Sequence, residues 1–474
     1  MKRTLTLSLV VIATISVGFV LGFVGFTRPA SCSDLSTTTA STMRSQLQPL
    51  QFGAIRKYKL PSERSPNAIT VASDGSVWFG EQSLPGIAHL YTNGTLVEYA
   101  WPFRYKFPAG FTFIWGIAIW GGCVWASDQA DSQLVAVDPN TGGVRTIPLA
   151  AGSFPYTMTV APDDTLWFTE VFAKVAHVDD QFNLHEYQLP DSGTPGQIVF
   201  ANDSLGYYVD TGNVGIANPG IYSFDPSNFS PTLIDPSTIS LIAPTSIALV
   251  NGGIWVAQHA TSELAYYRFG SHELVQFPTT PVSYVKTTLP YFVAANGSLV
   301  WFNEHYANRI GVIDTRSDLL TEYSLSNPPA NKTSQIDNAL TFAIGGSRVW
   351  FTELTADYVG YIDATYKPSY SFQPVKEGLE LTVGRSETTT LALQGVSNGK
   401  LTITASDSSI LTPTPQTISL NLSNNTVPPI HGQVAITLTV TLSDDAIPGQ
   451  YELLVTATDG LTGQGIYVPL LAMG

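Results

Sequence analysis

Val77-Trp78-Phe79-Gly80-Glu81 is one copy of a pattern, a short apolar run closed by an acid or amide, that occurs seven times along the chain. The aromatic residue of the pattern stands at positions 78, 125, 167, 207, 255, 301 and 350, so successive copies lie between 40 and 49 residues apart. This period is typical of four-stranded propeller blades. The sequence therefore predicts seven similar β-rich units.

Each unit has the same order of elements. A short apolar strand such as Ala68 to Ala72 comes first, a turn such as Asp74-Gly75 follows, and the aromatic strand and two further strands complete the unit. These turn dipeptides tolerate positive φ, as two-residue hairpin turns require. The seventh unit lacks a fourth strand, and Ile55 to Leu60 is predicted to supply it. The fold class is thus all-β, with a closed seven-bladed β-propeller over residues 53–370.

The period is lost after residue 374, where alternating strands such as Val434 to Leu442 and Tyr451 to Thr458 continue to the end of the chain. Their number and length predict an immunoglobulin-like β-sandwich over residues 374–474, without the usual disulfide. We interpret it as a spacer or adhesion module.

The N-terminus predicts export. Lys2 and Arg3 precede 24 uncharged, mostly apolar residues, Thr4 to Thr27, enough for the roughly 20 residues of a membrane-spanning helix. Residues 1–28 are therefore a predicted signal anchor or signal peptide. The body is expected outside a single-pass cell-membrane anchor, with secretion as the alternative and lipidation of Cys32 as a minor one. The Ser/Thr-rich residues 29–52 are expected to form a flexible linker.

Composition excludes some functions. A net charge of -15 and a pI near 4.8 leave no basic footprint for nucleic acid. Two cysteines make neither a disulfide framework nor a zinc site, and Cys123 is expected to be an inert core thiol. Asn-x-Ser/Thr triplets are expected to make the exported chain a glycoprotein; they begin at Asn93, Asn202, Asn228, Asn296, Asn331, Asn421 and Asn424.

Two rings of residues are predicted at one mouth of the propeller channel, where inner strands begin and second strands end. The pre-strand ring comprises Asn67, Trp115, Tyr156, Gly196, Thr245, Tyr291 and Asn338. The carboxylate ring comprises Glu81, Asp128, Glu170, Asp210, Gln258, Glu304 and Glu353. These acids either accept structural hydrogen bonds from neighbouring backbone or hold a cation, for which Mg²⁺ or Ca²⁺ bound by Glu304 and Glu353 is the hypothesis.

Two histidines break the repeat. His259 and His305 each lie four residues after the aromatic residue of their unit, and the alternatives are solvent-facing loop residues or acid-base and metal-binding groups. A catalytic set of Glu304, His305 and Glu353 is the enzymatic hypothesis. The predicted ligand-binding residues are Trp115, Tyr156, Tyr291, Asn338 and His259, overhung by the aromatic-rich connection between residues 101 and 115.

Units such as Leu166-Trp167-Phe168-Thr169-Glu170 and the stretch Val300 to Asp314 resemble repeats of the virginiamycin B lyase (streptogramin lyase) family. The resemblance covers roughly residues 53–365. It implies a seven-bladed propeller that opens the ester of a cyclic depsipeptide antibiotic by elimination, with magnesium and with His and Glu residues of the last two blades.

The family's active-site positions are only partly retained. They fall on Tyr291, Ile336, Asn338 and Glu353, so only the final acid matches. The resemblance therefore implies the fold without the family's base.

The leading hypothesis is a membrane-anchored, extracytoplasmic propeller that binds a small molecule, peptide, glycan or envelope protein at an acidic mouth, without the family's lyase chemistry. The first alternative is a metal-dependent carbon–oxygen lyase or hydrolase at the same mouth. The second is a structural cell-envelope protein.

Overall fold

The structure is a computed structural model. It describes residue 32 and residues 38–83, 86–102, 113–190, 193–212, 219–234, 241–325, 339–375, 377–408 and 417–474. The described part of the chain is all-β and contains no α-helix. Seven sheets each contain four antiparallel strands in the order inner, second, third and outer.

The inner strands are Pro66–Val71, Ile114–Trp120, Pro155–Val160, Pro195–Asn202, Pro244–Val250, Pro290–Asn296 and Phe342–Gly345. The second strands are Val77–Glu81, Cys123–Asp128, Leu166–Glu170, Leu205–Asp210, Gly253–Gln258, Leu299–Glu304 and Arg348–Glu353. The third strands are Gly86–Leu90, Gln133–Val137, Lys174–Val178, Gly220–Phe224, Glu263–Arg268, Arg309–Asp314 and Tyr358–Asp363. The outer strands are Thr95–Ala100, Gly143–Pro148, Leu184–Gln188, Thr232–Ile234, Leu274–Pro278, Leu319–Ser324 and Ile55–Lys59.

The inner strands form a continuous circle around a central channel. Each contacts the next, and Phe342–Gly345 contacts Pro66–Val71. The seventh sheet takes its outer strand from the N-terminal side of the chain, since Ile55–Lys59 pairs antiparallel with Tyr358–Asp363. This confirms the predicted strand exchange. It joins the two ends of the repeat array by backbone hydrogen bonds.

The aromatic residues of the repeat pack between neighbouring sheets. Trp125, Trp167 and Trp301 are fully buried, as are the phenylalanines that follow two of them, Phe168 and Phe302. Six of the seven turns between first and second strands contain a residue with positive φ, as predicted; the turn at Asn202-Asp203 does not. The aromatic residues of the repeat therefore serve mainly to stabilise the fold, because burial of such rings dominates core energetics.

The segment before the repeat is not a free linker. Thr38–Thr39 pairs with Gly143–Pro148, Ser41–Gln46 with Thr95–Ala100, and Pro49–Phe52 with Ile55–Lys59. The segment thus adds a fifth strand to the second, first and seventh sheets in turn. The prediction of a flexible linker over residues 29–52 missed this because edge pairing uses the backbone and requires no apolar side-chain pattern.

A disulfide ties this segment to the second sheet. Cys32 and Cys123 are bonded, with their Cα atoms 5.1 Å apart. Cys32 is buried, and its backbone amide donates to the carbonyl of Gly121. The expectation that Cys123 is an inert free thiol was therefore wrong. Two cysteines 91 residues apart give no local signal that they meet.

The C-terminal strands form two sheets around one apolar core. One sheet contains Tyr370–Phe372, Ser386–Val396, His431–Leu442 and Ile418–Leu422. The other contains Leu379–Thr382, Thr462–Met473, Gly449–Thr458, Leu401–Asp407 and Thr426–Val427. Thr462–Met473 also pairs with the outer strand Leu319–Ser324, so the second of these sheets continues the sixth sheet of the repeat array. The C-terminal part is fused edge to edge with the propeller.

Two buried acids face each other where these parts meet. Glu263 is 1% exposed, and neither of its carboxylate oxygens has a hydrogen-bond partner within the described residues. Burial, and then the charge of Asp407, raise the pKa of Glu263 to about 9. The Glu263 carboxyl is therefore protonated in the folded chain at neutral pH.

This raised pKa makes stability depend on pH. The unfolded Glu releases its proton near its ordinary pKa, so between about pH 4.5 and 9 the folded state binds more protons, and stability falls as pH rises through this window. We expect the thermal midpoint to fall by several degrees from pH 5 to pH 9. Glu263→Gln should flatten this fall and raise the midpoint at pH 9; an unchanged pH profile would contradict the assignment.

The membrane hypothesis concerns residues outside the described part. Within the described residues, no helix has the length and hydropathy needed to cross a membrane. The predicted span, Thr4 to Thr27, lies outside the described residues.

Candidate functional site

A repeated irregularity marks the start of most inner strands, where the described members of the pre-strand ring lie. In six of the seven sheets the first residue of the inner strand pairs with the ring residue that ends the second strand, as Pro155 does with Glu170 and Pro290 with Glu304. In these six sheets the register then shifts before the next pair, whereas in the seventh Phe342 pairs with Phe351 without a shift. Proline is tolerated at the first position of a strand, and bulges redirect side chains at the rims of closed β-structures. The repeat therefore builds one inward-facing position in each of these six sheets.

Residues at or beside this position line a small central cavity of about 80 Å³. Its walls come from all seven sheets; they include Ala68, Trp115, Tyr156, Gln197, Thr245, Tyr291 and Phe342. Drug-sized ligands occupy pockets of about 300–1,000 Å³, whereas a water molecule takes about 30 Å³ of liquid volume. The channel interior holds only a few water molecules, so a larger ligand must bind above it, at the mouth.

Two tyrosines close the channel beneath the mouth. The hydroxyl groups of Tyr156 and Tyr291, from the third and sixth sheets, are in hydrogen-bond contact across the channel. The Trp115 ring centroid lies 5.5 Å from that of Tyr156 and 6.0 Å from that of Tyr291. Burial raises the pKa of Tyr156 to about 12 and also raises that of Tyr291, so both phenols are neutral. Together these three side chains form an uncharged aromatic floor.

The two histidines extend this floor. Nε2 of His259 lies 2.9 Å from Nε2 of His305, and both imidazole planes stand at 79° to the ring of Tyr291. One imidazole donates and the other accepts, which requires opposite tautomers. Burial lowers the pKa of His259, which favours the neutral form. The structure thus brings together Trp115, Tyr156, Tyr291, His259 and His305; Asn338 and Ile336 lie outside the described residues.

The carboxylate ring does not open onto the mouth. Its seven members are at most 1% exposed. Glu304 pairs with Arg309 at 3.0 Å, and Glu353 pairs with Lys57 at 2.5 Å. The other members also have partners within their own or the adjoining sheet: Glu81 with Arg64, Asp128 with Gln133, Glu170 with Lys174, Asp210 with the amides of Thr194 and Gly212, and Gln258 with Gln276.

Both predicted metal ligands, Glu304 and Glu353, take part in these ion pairs. Glu304 and Glu353 each serve a different cationic side chain, and among the described residues no group of three or more His, Cys, Asp or Glu side chains is arranged to hold a metal. Burial raises the pKa of Glu304 to about 7, against the opposing effect of Arg309. The arrangement is that of structural carboxylates, and the surface of the mouth is aromatic rather than acidic.

The rim of the mouth contains aromatics that the sequence reasoning did not single out. Phe154 and Phe172 meet edge to face at 5.4 Å, and Phe172 is 63% exposed. Tyr306 packs against His305 and is 38% exposed. Phe172 and Tyr306 each stand two residues after a ring carboxylate, which is the signal that would have found them. The predicted overhanging loop is described only at its ends, since residues 103–112 lie outside the described part.

A repeated backbone turn holds the rim in place. Phe113 and Phe154, each just before an inner strand, have φ of 51°. Their carbonyls accept from the amides of Gln129 and Val171, which directly follow ring carboxylates. Positive φ is costly for a bulky residue and persists only where the surroundings fix it. The two loops of each such sheet are thereby locked to one another at the mouth.

Comparison with known proteins gives the same fold. The model of the Virginiamycin B lyase family matches residues 48–218. Crystal structures of virginiamycin B lyase from Staphylococcus aureus align with a TM-score of 0.55: the selenomethionine form at 22% identity over 65% of this chain and 98% of that one, and a catalytically inactive form with quinupristin at 21% identity over 68% and 99%. The fold is a virginiamycin B lyase-like β-propeller.

Sequence similarity to a curated relative is more limited. Virginiamycin B lyase of Nocardia farcinica (strain IFM 10152) is 30% identical over 142 residues, which is 29% of this chain and 47% of the relative. The match thus spans about half the length of that relative. In this virginiamycin B lyase-like propeller, the predicted site residues must be judged by their own geometry.

Proposed function

We propose that the chain is an extracytoplasmic, ligand-binding propeller whose aromatic mouth stacks on a neutral, ring-bearing small molecule or peptide. The observation that carries this is the uncharged floor of Trp115, Tyr156 and Tyr291 surrounded by exposed rim rings such as Phe172. Aromatic side chains supply large contact areas and prefer stacked or edge-to-face partners. Because the ring carboxylates are buried, they are not available to attract an organic cation, which favours a neutral organic ligand.

We also propose the finer architecture. Each of the seven sheets is one blade of a seven-bladed propeller over residues 53–370, and the two C-terminal sheets over 374–474 are an immunoglobulin-like module. Residues 1–28 anchor the chain in the membrane. The Cys32–Cys123 disulfide supports an exported body, because such bonds persist in oxidising compartments.

The reaction of the relatives is not part of this proposal. The positions that correspond to the family's histidines hold Tyr291 and Asn338, and Glu304 is paired with Arg309. A phenol with a raised pKa is a poor base at neutral pH. Binding without bond cleavage is therefore the function that this mouth supports best.

Quinupristin, which one of the similar structures contains, is a direct probe. We expect it to bind, and we expect Trp115→Ala to weaken binding by about 10- to 100-fold, since truncating a central aromatic anchor costs about 1–3 kcal/mol or more. Titration calorimetry measures this change.

Tyr366→Ala is the matched control, because Tyr366 is 39% exposed and lies after the third strand of the seventh sheet, away from the mouth. The affinity of the Tyr366→Ala variant for quinupristin should equal that of the parent. Equal affinity of the Trp115→Ala variant and the parent would overturn the proposed site. Failure of quinupristin and of a panel of neutral cyclic peptides to bind would favour the structural envelope alternative, which the tyrosine closure of the channel supports.

A further inference from the structure

The imidazoles of His259 and His305 form a hydrogen-bonded pair at the mouth. His259 and His305 come from equivalent loops of adjacent sheets, each directly after a ring residue that is committed elsewhere: Gln258 to Gln276 and Glu304 to Arg309. His305 is buried, and His259 is half-buried. Their Nε2 atoms face each other, 2.9 Å apart.

We infer that His259 and His305 form a two-histidine site for a divalent transition-metal ion such as Ni²⁺, Cu²⁺ or Zn²⁺, distinct from the carboxylate ring. Imidazole nitrogen suits these ions, whereas Mg²⁺ and Ca²⁺ prefer oxygen. Two nitrogens at about 2.0–2.1 Å from a tetrahedral ion lie about 3.3 Å apart. To admit the ion, this 2.9 Å separation must widen by about 0.4 Å and both rings must turn until their Nε2 lone pairs converge on it.

The surroundings would leave the remaining coordination positions open. The ring of Tyr291 covers one side of both imidazoles, and Tyr306 packs against His305. The nearest ring carboxylate in sequence, Glu304, is buried and binds Arg309 through Oε1, and the proposed site does not include it. Water or a donor atom of a molecule in the mouth would complete the coordination. The site goes beyond the proposed stacking function, and the ion alone is the probe.

The chain contains a second imidazole pair, which provides the control. His177 and His185 are opposite each other on neighbouring strands, with ring centroids 4.6 Å apart. Their rings stack face to face, and Nε2 of His185 contacts Asp179 at 3.2 Å. Nε2 of His185 thus contacts a carboxylate, whereas Nε2 of His305 faces another imidazole.

The test uses the full chain without an affinity tag. Calorimetric titration with Ni²⁺ should give one ion per chain, weakened at least tenfold in His259→Ala and in His305→Ala and unchanged in His185→Ala and Glu304→Gln. Excess Mg²⁺ should not compete. Undiminished binding in His259→Ala, loss in His185→Ala, or no binding by the parent would overturn the inference.

A second measurement uses only the parent chain, so misfolding of a variant cannot affect its result. The electron paramagnetic resonance spectrum of the chain with one equivalent of Cu²⁺ should show coupling to two equivalent imidazole nitrogens. A spectrum with oxygen ligands only would overturn the assignment, whatever the fate of the variants.

Discussion

Replacing Arg309 with leucine is expected to lower the free energy of unfolding by about 3–5 kcal/mol, because it leaves two buried carboxylates without their counterion. Arg309 contacts Glu304 at 3.0 Å and Glu322 at 3.1 Å, and all three side chains are buried. Arg309 also donates to the carbonyl of Thr280. Burial already raises the pKa of Glu304 to about 7 in the presence of Arg309, and loss of the guanidinium should raise it further.

The sign of the pH effect follows from this raised pKa. A carboxyl that holds its proton in the folded state contributes stability at low pH that is lost as pH rises through the folded pKa. The Arg309→Leu variant should therefore regain part of its stability at pH 5. Denaturant unfolding at pH 5 and pH 8 measures both effects.

Arg316→Leu is the control in the same sheet. Arg316 pairs with Asp314 at 3.2 Å but its side chain is 75% exposed, and exposed ion pairs contribute about 0–1 kcal/mol. If both variants lose the same small amount of stability, the buried triad of Arg309, Glu304 and Glu322 does not stabilise the sixth sheet as described. The triad also lies near the C-terminal sheets, since Thr280 hydrogen-bonds Thr456.

Removing the Cys32–Cys123 disulfide is expected to lower the free energy of unfolding by about 2–5 kcal/mol. The bond joins residues that are 91 positions apart, and without it the unfolded chain gains conformational freedom. Its loss should also release the edge strands Thr38–Thr39 and Ser41–Gln46. We expect a reductant to shift denaturant unfolding of the parent and to leave the Cys123→Ala variant unaffected. Alkylation of the unfolded, unreduced parent should label neither cysteine; labelling of both would contradict the bond.

The repeat and its closure were predictable because their signals are local. A turn such as Asp74-Gly75 and a buried aromatic such as Trp78 are specified within a few residues. The exchanged strand could be found because Ile55 to Leu60 matches a repeat position that the seventh unit lacks. The propeller-like, all-β character therefore follows from the sequence.

Contacts between distant segments could not be predicted in this way. The edge pairing of Ser41–Gln46, the disulfide and the pairing of Thr462–Met473 with Leu319–Ser324 depend on which surfaces meet in space. The Ser/Thr-rich composition that resembles a linker is also compatible with an exposed edge strand, because Thr has high β-propensity.

The candidate site was partly predictable. The pre-strand positions Trp115, Tyr156 and Tyr291 and the histidine pair were located by counting from the repeat. No local pattern indicates that the carboxylates lie buried beside Arg309 and Lys57, since those partners are determined by the three-dimensional arrangement. For this reason the mouth, which was predicted to be acidic with an aromatic rim, has the aromatic residues but not the exposed acids.

Saturation-transfer difference NMR of quinupristin with the full chain tests the central claim, which is binding at the aromatic mouth without opening of the ligand. Elimination within a ring leaves the mass unchanged, whereas NMR reports contact with the protein and formation of a new carbon–carbon double bond together. We predict saturation transfer to quinupristin that Trp115→Ala reduces, with no new olefinic signals. No transfer, or the steady appearance of the opened product, would contradict the account.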